Sequence, residues 1–148
     1  MKKFLQELFF LLISILMLSE LFAGNIFSLT LGLDRAAELM AVSTDTARTH
    51  LVILSVFDVL AGFGAVLVFF ASRNNESNHA GLAGRIGIVA TSIGMLLYGG
   101  YQFWYAVYDL GDIQVYIKAI GILYALFGVI AWVLGNDMKR EIFSVSKS

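Results

Sequence analysis

The chain has 148 residues, 59% of them apolar and only 14% charged, with a mean hydropathy of +0.81 and a net charge of −1. A soluble domain is about 45–50% apolar and about 25% charged, so this composition predicts a polytopic protein of the lipid bilayer. The absence of cysteine and the presence of only two histidines exclude thiolate metal sites, iron–sulfur clusters, disulfide exchange and thiol nucleophiles. No basic run offers a surface to nucleic acid.

In chain order, residues 4–33 form one apolar segment interrupted by Ser14, Ser19, Glu20 and Asn25. Lys2 and Lys3 followed by an apolar run have the outline of a signal peptide. The run continues past Gly24 to Leu33, which favours a retained helix. A polar connection, 34–50, contains a short amphipathic stretch at 36–41, and Thr44 or Asp45 is placed to cap the next helix. The second span is 51–72, and a polar turn, 73–79, leads to the third at 84–108. A tight turn, 109–112, leads to the fourth at 113–135, and a polar tail occupies 136–148. Each span is long enough to cross about 30 Å of hydrocarbon at 1.5 Å per residue.

The expected fold is all-α: an integral membrane protein of four transmembrane helices in an up-down antiparallel bundle, forming a single domain. Seven basic residues (Lys2, Lys3, Arg73, Arg85, Lys139, Arg140, Lys147) fall on the side of the termini, and three (Arg35, Arg48, Lys118) on the other. The positive-inside rule then puts both termini in the cytoplasm, with a bacterial or archaeal plasma membrane as the expected setting.

Packing faces in lipid are read from small residues, which let backbones approach closely. In the third span Gly84, Gly87, Thr91, Gly94, Tyr98, Tyr101, Tyr105 and Tyr108 recur at steps of three and four. In the fourth, Gln114, Lys118, Gly121, Ala125, Gly128, Trp132 and Gly135 do the same. In the second, Ser55, Asp58, Ala61, Gly62 and Ala65 share a face opposite Val56, Leu60, Phe63, Leu67 and Phe70. In the first, Glu20 lies with Ala23, Gly24 and Ser28, against Leu11, Ile15, Leu18 and Phe22. Gly62, Gly84, Gly87, Gly94, Gly121 and Gly128 are the expected helix-packing positions.

An intramembrane carboxylate is costly, about 2.5–3.5 kcal/mol on insertion scales, and calls for a partner. Glu20, Asp58 and Tyr101 each lie seven residues from the outer ends of their spans, about 10 Å at the helical rise, and Lys118 lies five residues in, about 7 Å. Depth therefore predicts one polar cluster in the outer half of the bundle: Glu20, Asp58, Lys118, Tyr98, Tyr101, Tyr105 and Gln114. Lys118 is the expected partner of Asp58, with Glu20 competing for it. Tyr105 and Tyr108 fit an interfacial aromatic belt, and His50 and His79 are expected as interfacial and solvated residues on opposite sides of the membrane. No metal, haem or other cofactor is expected, since no two histidines meet.

Four short helices with a carboxylate in the first, Glu20, and deep aromatics resemble the layout of small multidrug-resistance transporters. That resemblance implies proton exchange for organic cations. The chain departs from it in lacking proline and in adding Asp58 and Lys118. Arg48-Thr-His50 is similar to the arginine–histidine stretch of the membrane-associated eicosanoid and glutathione enzymes, but Val52 and Ser55 stand where asparagine and glutamate should follow. The leading expectation is a non-enzymatic accessory or structural subunit, working as a homo-oligomer or with other membrane subunits. The alternative is a proton- or cation-coupled small transporter, or a small-ligand-binding protein, that uses Glu20 and Asp58.

Overall fold

The computed structural model describes residues 1–105 and 114–143. They form five helices: α1 (Lys2–Leu31), α2 (Leu33–Met40), α3 (Thr44–Arg73), α4 (Ala80–Tyr105) and α5 (Gln114–Glu141). All but α2 are long and apolar enough to cross a membrane. The expected turn at 109–112, together with Tyr108 and Ile113, lies outside the described residues.

The helix ends differ from the sequence expectation for local reasons. The polar residues ahead of Leu51 are already helical, because Ser43, not Thr44 or Asp45, is the N-cap. Its hydroxyl accepts the Thr46 N–H at 3.2 Å, and Asp45 sits in the positive first turn. The short amphipathic helix begins at Leu33, and it stops where Ala41 turns left-handed (φ 55°). Beyond Gly135, where a polar tail was expected, α5 continues through Asn136 to Glu141. Lys2 holds this last stretch to the start of α1 with salt bridges to Asp137 (3.6 Å) and Glu141 (3.0 Å). The chain then tucks Phe143 into the bundle against Gly84, and Arg85 Nε donates to the Phe143 carbonyl at 3.1 Å.

Small residues set the contacts of α3, α4 and α5. Gly64 lies against Ala90 and Thr91, Gly87 against Val68 and the Gly64 carbonyl, and Gly94 against Ala61, where an added Cβ would come within 2.7 Å of the Ala61 nitrogen. On the other side of α4, Gly121 meets Gly99 and Phe103, Gly128 meets Leu96 and the Ser92 carbonyl, and Gly135 meets Ile88. Such close backbone approach gains dispersion contacts that larger side chains at these positions would prevent.

The face of α1 is the exception. Its buried apolar residues are the large Phe10, Ile13, Met17 and Leu21, while Ala23 is exposed. The smallness sits on the partner instead, where Leu18 and Met17 fill the space in front of Gly62. In α5 the face is centred on Gly121, Gly128, Ala131 and Gly135, which leaves Trp132 44% exposed beneath the Lys139 ammonium at 4.6 Å. The opposite faces expose long apolar side chains, among them Phe22, Val56, Phe63, Phe70, Leu126 and Val133.

Each long helix packs mainly on its neighbours in sequence: α1 on α3, α3 on α4, α4 on α5. Between α1 and α5 the contact is made by long side chains, such as the edge-on Phe9 and Phe127 rings, 6.4 Å apart.

Candidate functional site

In α1 the residues Glu20–Ile26 are wound as a π-helix. The reason this matters is angular. At 3.6 residues per turn two positions five apart diverge by about 140°, but an i→i+5 ladder brings them near to one face. Glu20 and Asn25 are such a pair, and both reach polar partners in the bundle. Gly24, which follows Glu20 by four, leaves the space beside the glutamate stem open: an added Cβ there would sit 3.9 Å from Glu20 Cγ.

Asp58 of α3 is fully buried. Its Oδ2 accepts from Asn25 Nδ2 at 2.6 Å, and Oδ1 has no hydrogen-bond partner among the described residues. Glu20 is half-buried. Its Oε1 accepts a hydrogen bond from the hydroxyl of Tyr98, and its Oε2 a long one from Tyr124 at 3.4 Å. Gln102 Nε2 donates in turn to the Tyr98 hydroxyl at 3.3 Å. The Tyr98 and Tyr124 rings lean on one another with centroids 4.7 Å apart.

The expected ion pair is not formed. The Lys118 ammonium lies 5.6 Å from the Phe103 ring centroid, over its face, and no salt bridge joins a lysine or arginine to Glu20 or Asp58 among the described residues. Equal depth does not imply equal azimuth, and Phe103 faces outward from α4 at 44% exposure. Gln114, at the start of α5, is half-buried and its side chain meets neither Glu20 nor Asp58, whose hydrogen bonds go to Tyr98, Tyr124 and Asn25.

The tyrosines divide into two groups. Tyr98 belongs to the carboxyl pair. Tyr101 and Tyr105 belong with His50, whose Nδ1 is 2.8 Å from the Tyr101 hydroxyl and whose ring stacks on Tyr105 at 4.1 Å between centroids. His50 is only 7% exposed and Tyr105 8%, so both are packed against other side chains of the bundle, while His79 is exposed.

Compared with protein-family models, curated proteins and solved structures, the chain gives no match. Its chemistry must therefore be read from these residues. No group of three or more metal-ligating side chains occurs among the described residues. The arrangement links two carboxyl groups through the π-wound turn, which carries Glu20 and reaches Asp58 through Asn25, each served by neutral donors: an amide for Asp58, phenols for Glu20.

Asn25 and Tyr124 were absent from the sequence-based cluster. An α-helical reading of the first span turns Asn25 away from Glu20, and the fourth-span seam was drawn through Ala125, one residue from Tyr124. His50 had a signal that went unread: His50, Leu54, Asp58, Ala61 and Ala65 recur at helical spacing along one buried face of α3.

Proposed function

We propose that the chain is an integral membrane protein whose four long helices cross the bilayer as an up-down antiparallel bundle, and that Glu20 and Asp58 form a proton-binding pair within it. The topology is supported by the way contacts descend. Gly87 meets Gly64 and Gly94 meets Ala61, while Gly99 meets Gly121 and Gly135 meets Ile88, so numbers rise on one helix as they fall on the next. Lys2, Arg73, Arg85 and Arg140 gather at one end, the expected cytoplasmic side.

The observation that carries the functional reading is the absence, among the described residues, of a cation paired with either carboxyl, the fully buried Asp58 or the half-buried Glu20. Two carboxylates in a low-dielectric interior repel each other at high cost, and one shared proton removes the excess charge. The species is a proton rather than a metal ion because the partners of the pair, Asn25 Nδ2 and the two phenols, are donors. A metal ion needs acceptor oxygens, and Asp58 Oδ1 is the bare one. A pair of this kind, reached through tyrosine hydroxyls, suits a proton-coupled small transporter.

The test is infrared difference spectroscopy of the purified protein between acidic and alkaline pH. A protonated-carboxyl band should appear and should be lost in Asp58→Asn or Glu20→Gln. An unaltered band in both variants overturns the reading.

A second reading, membership of a homo-oligomer or larger membrane complex, is favoured by α5. Only 17% of its most apolar window is buried, and Ile122, Leu126, Val129 and Val133 lie exposed. Native mass spectrometry from a gentle detergent should then find copies or partner chains in fixed ratio; a lone monomer sinks it.

A further inference from the structure

Where the start of α1 meets the later part of α5, Met1, Lys2, Leu5, Gln6 and Leu134 line a groove of about 440 Å³. That is the size of a small-molecule site, for which about 300–1,000 Å³ is usual. The groove shares no lining residue with the Glu20–Asp58 pair.

Gln6 is only 2% exposed, and its Nε2 has no hydrogen-bond partner among the described residues. A buried amide donor without an acceptor is costly, and nearly all such groups in folded proteins find one. The other polar side chain of the groove does not supply it. The Lys2 ammonium is itself a donor, and it is already held by Asp137 and Glu141. An ordered water needs about two to four polar partners, whereas Met1, Leu5 and Leu134 offer apolar side chains. The acceptor that fits therefore arrives with an apolar body attached.

Position along α1 narrows the chemistry further. The helix has 30 residues, about 45 Å at the helical rise. That matches a bilayer with its headgroups, about 40–45 Å, around a hydrocarbon layer of about 30 Å. The excess at each end is then about 7 Å, or about five residues. Gln6 falls at the edge of the hydrocarbon, where the ester carbonyls of a diacyl lipid join its chains to the headgroup. Met1, Lys2 and Leu5 at the mouth are each more than half exposed, so a lipid chain entering the groove displaces nothing that is packed.

We infer that this groove binds one acyl chain of a diacyl glycerolipid, laid along Leu5 and Leu134 with its ester carbonyl accepting from Gln6 Nε2. The inference rests on the reading of the four long helices as membrane spans, and not on the proton-binding pair.

The test is native mass spectrometry of the full chain released from nanodiscs that hold equal amounts of diacyl and dialkyl phosphatidylcholine of the same chain length. The dialkyl lipid keeps the headgroup and the chains and lacks only the carbonyl oxygens. The diacyl lipid should be retained about three- to ten-fold more often, the worth of one hydrogen bond. Gln6→Met, similar in length and without a donor, should bring the two lipids to equal retention with the helical circular dichroism unchanged. Leu5→Trp, at an exposed lining position, should fill the groove and abolish the preference while Gln6 stays intact. Equal retention of the two lipids by the unaltered chain, retention of neither, or a preference that persists in either variant overturns the assignment. A chain that does not enter the nanodiscs at all overturns the membrane-span reading and this inference together.

Discussion

Asn25 donates its side-chain amide to Asp58 Oδ2 at 2.6 Å, across the contact between the π-wound part of α1 and the middle of α3. This is the one hydrogen bond that the Asp58 side chain has among the described residues, so the two residues should behave energetically as a unit. Asn25→Leu should lower stability by about 1–3 kcal/mol, the cost of stripping a buried acceptor of its donor. Asn25→Leu combined with Asp58→Leu should recover most of that loss, since removing both partners leaves nothing unsatisfied. Thermal unfolding in detergent, run as a double-mutant cycle, measures both; additive losses would mean that the bond is not felt.

Adjacent glycines on α4 should respond in opposite senses. A Cβ on Gly99 would strike the Gly121 carbonyl and Ala125, whereas one on Gly100 meets nothing within 4 Å. Gly99→Ala should destabilise by about 1–3 kcal/mol through overpacking. Gly100→Ala should be neutral or stabilising by up to ~1 kcal/mol, because it removes backbone freedom from the unfolded chain. Unfolding midpoints of the two variants decide it.

Lys118 should prove dispensable to the carboxyl pair. Its ammonium rests over Phe103, an exposed cation–π contact worth about 0.5–1 kcal/mol. Lys118→Met should cost no more than that and leave the infrared titration of the carboxyls unchanged. A shifted carboxyl band would place the lysine in the cluster after all.

Phe143 lies beyond the last helical turn, yet it is only 1% exposed and presses its ring on Gly84. Phe143→Ala should destabilise by about 3–5 kcal/mol, as for other buried aromatics, and should loosen the end of α5 in hydrogen exchange. If the change is within about 0.5 kcal/mol, as for an ordinary surface substitution, the contact contributes little.

Much of the architecture was legible in the sequence because apolar length and small-residue spacing report directly on helices and their contacts. The α3 and α4 faces emerged this way, down to the exposed Val56, Phe63 and Phe70. The site was less legible. Depth along a helix places Lys118 level with Asp58, but a rotation about the α5 axis separates them, and residue counting says little about rotation between helices. Asn25 was hidden by a different effect: the π-wound turn changes the period within the first span, and no single residue in Glu20–Ile26 announces it. The α1 face was misread because a small residue is needed on only one side of a close contact, and Gly62 supplies it for Leu18.

The order of packing, α1 on α3, α3 on α4 and α4 on α5, bears on how the protein is made. Every large interface among the described residues joins segments that leave the ribosome one after the other, so each can form as soon as its second helix is made, without waiting for a distant part of the chain. Closure waits for α5, whose Asp137 and Glu141 meet Lys2. A ribosome stalled after α4 should therefore already hold the joined carboxyl and amide of Asp58 and Asn25, while the Tyr124 hydroxyl of Glu20 arrives only with the last helix.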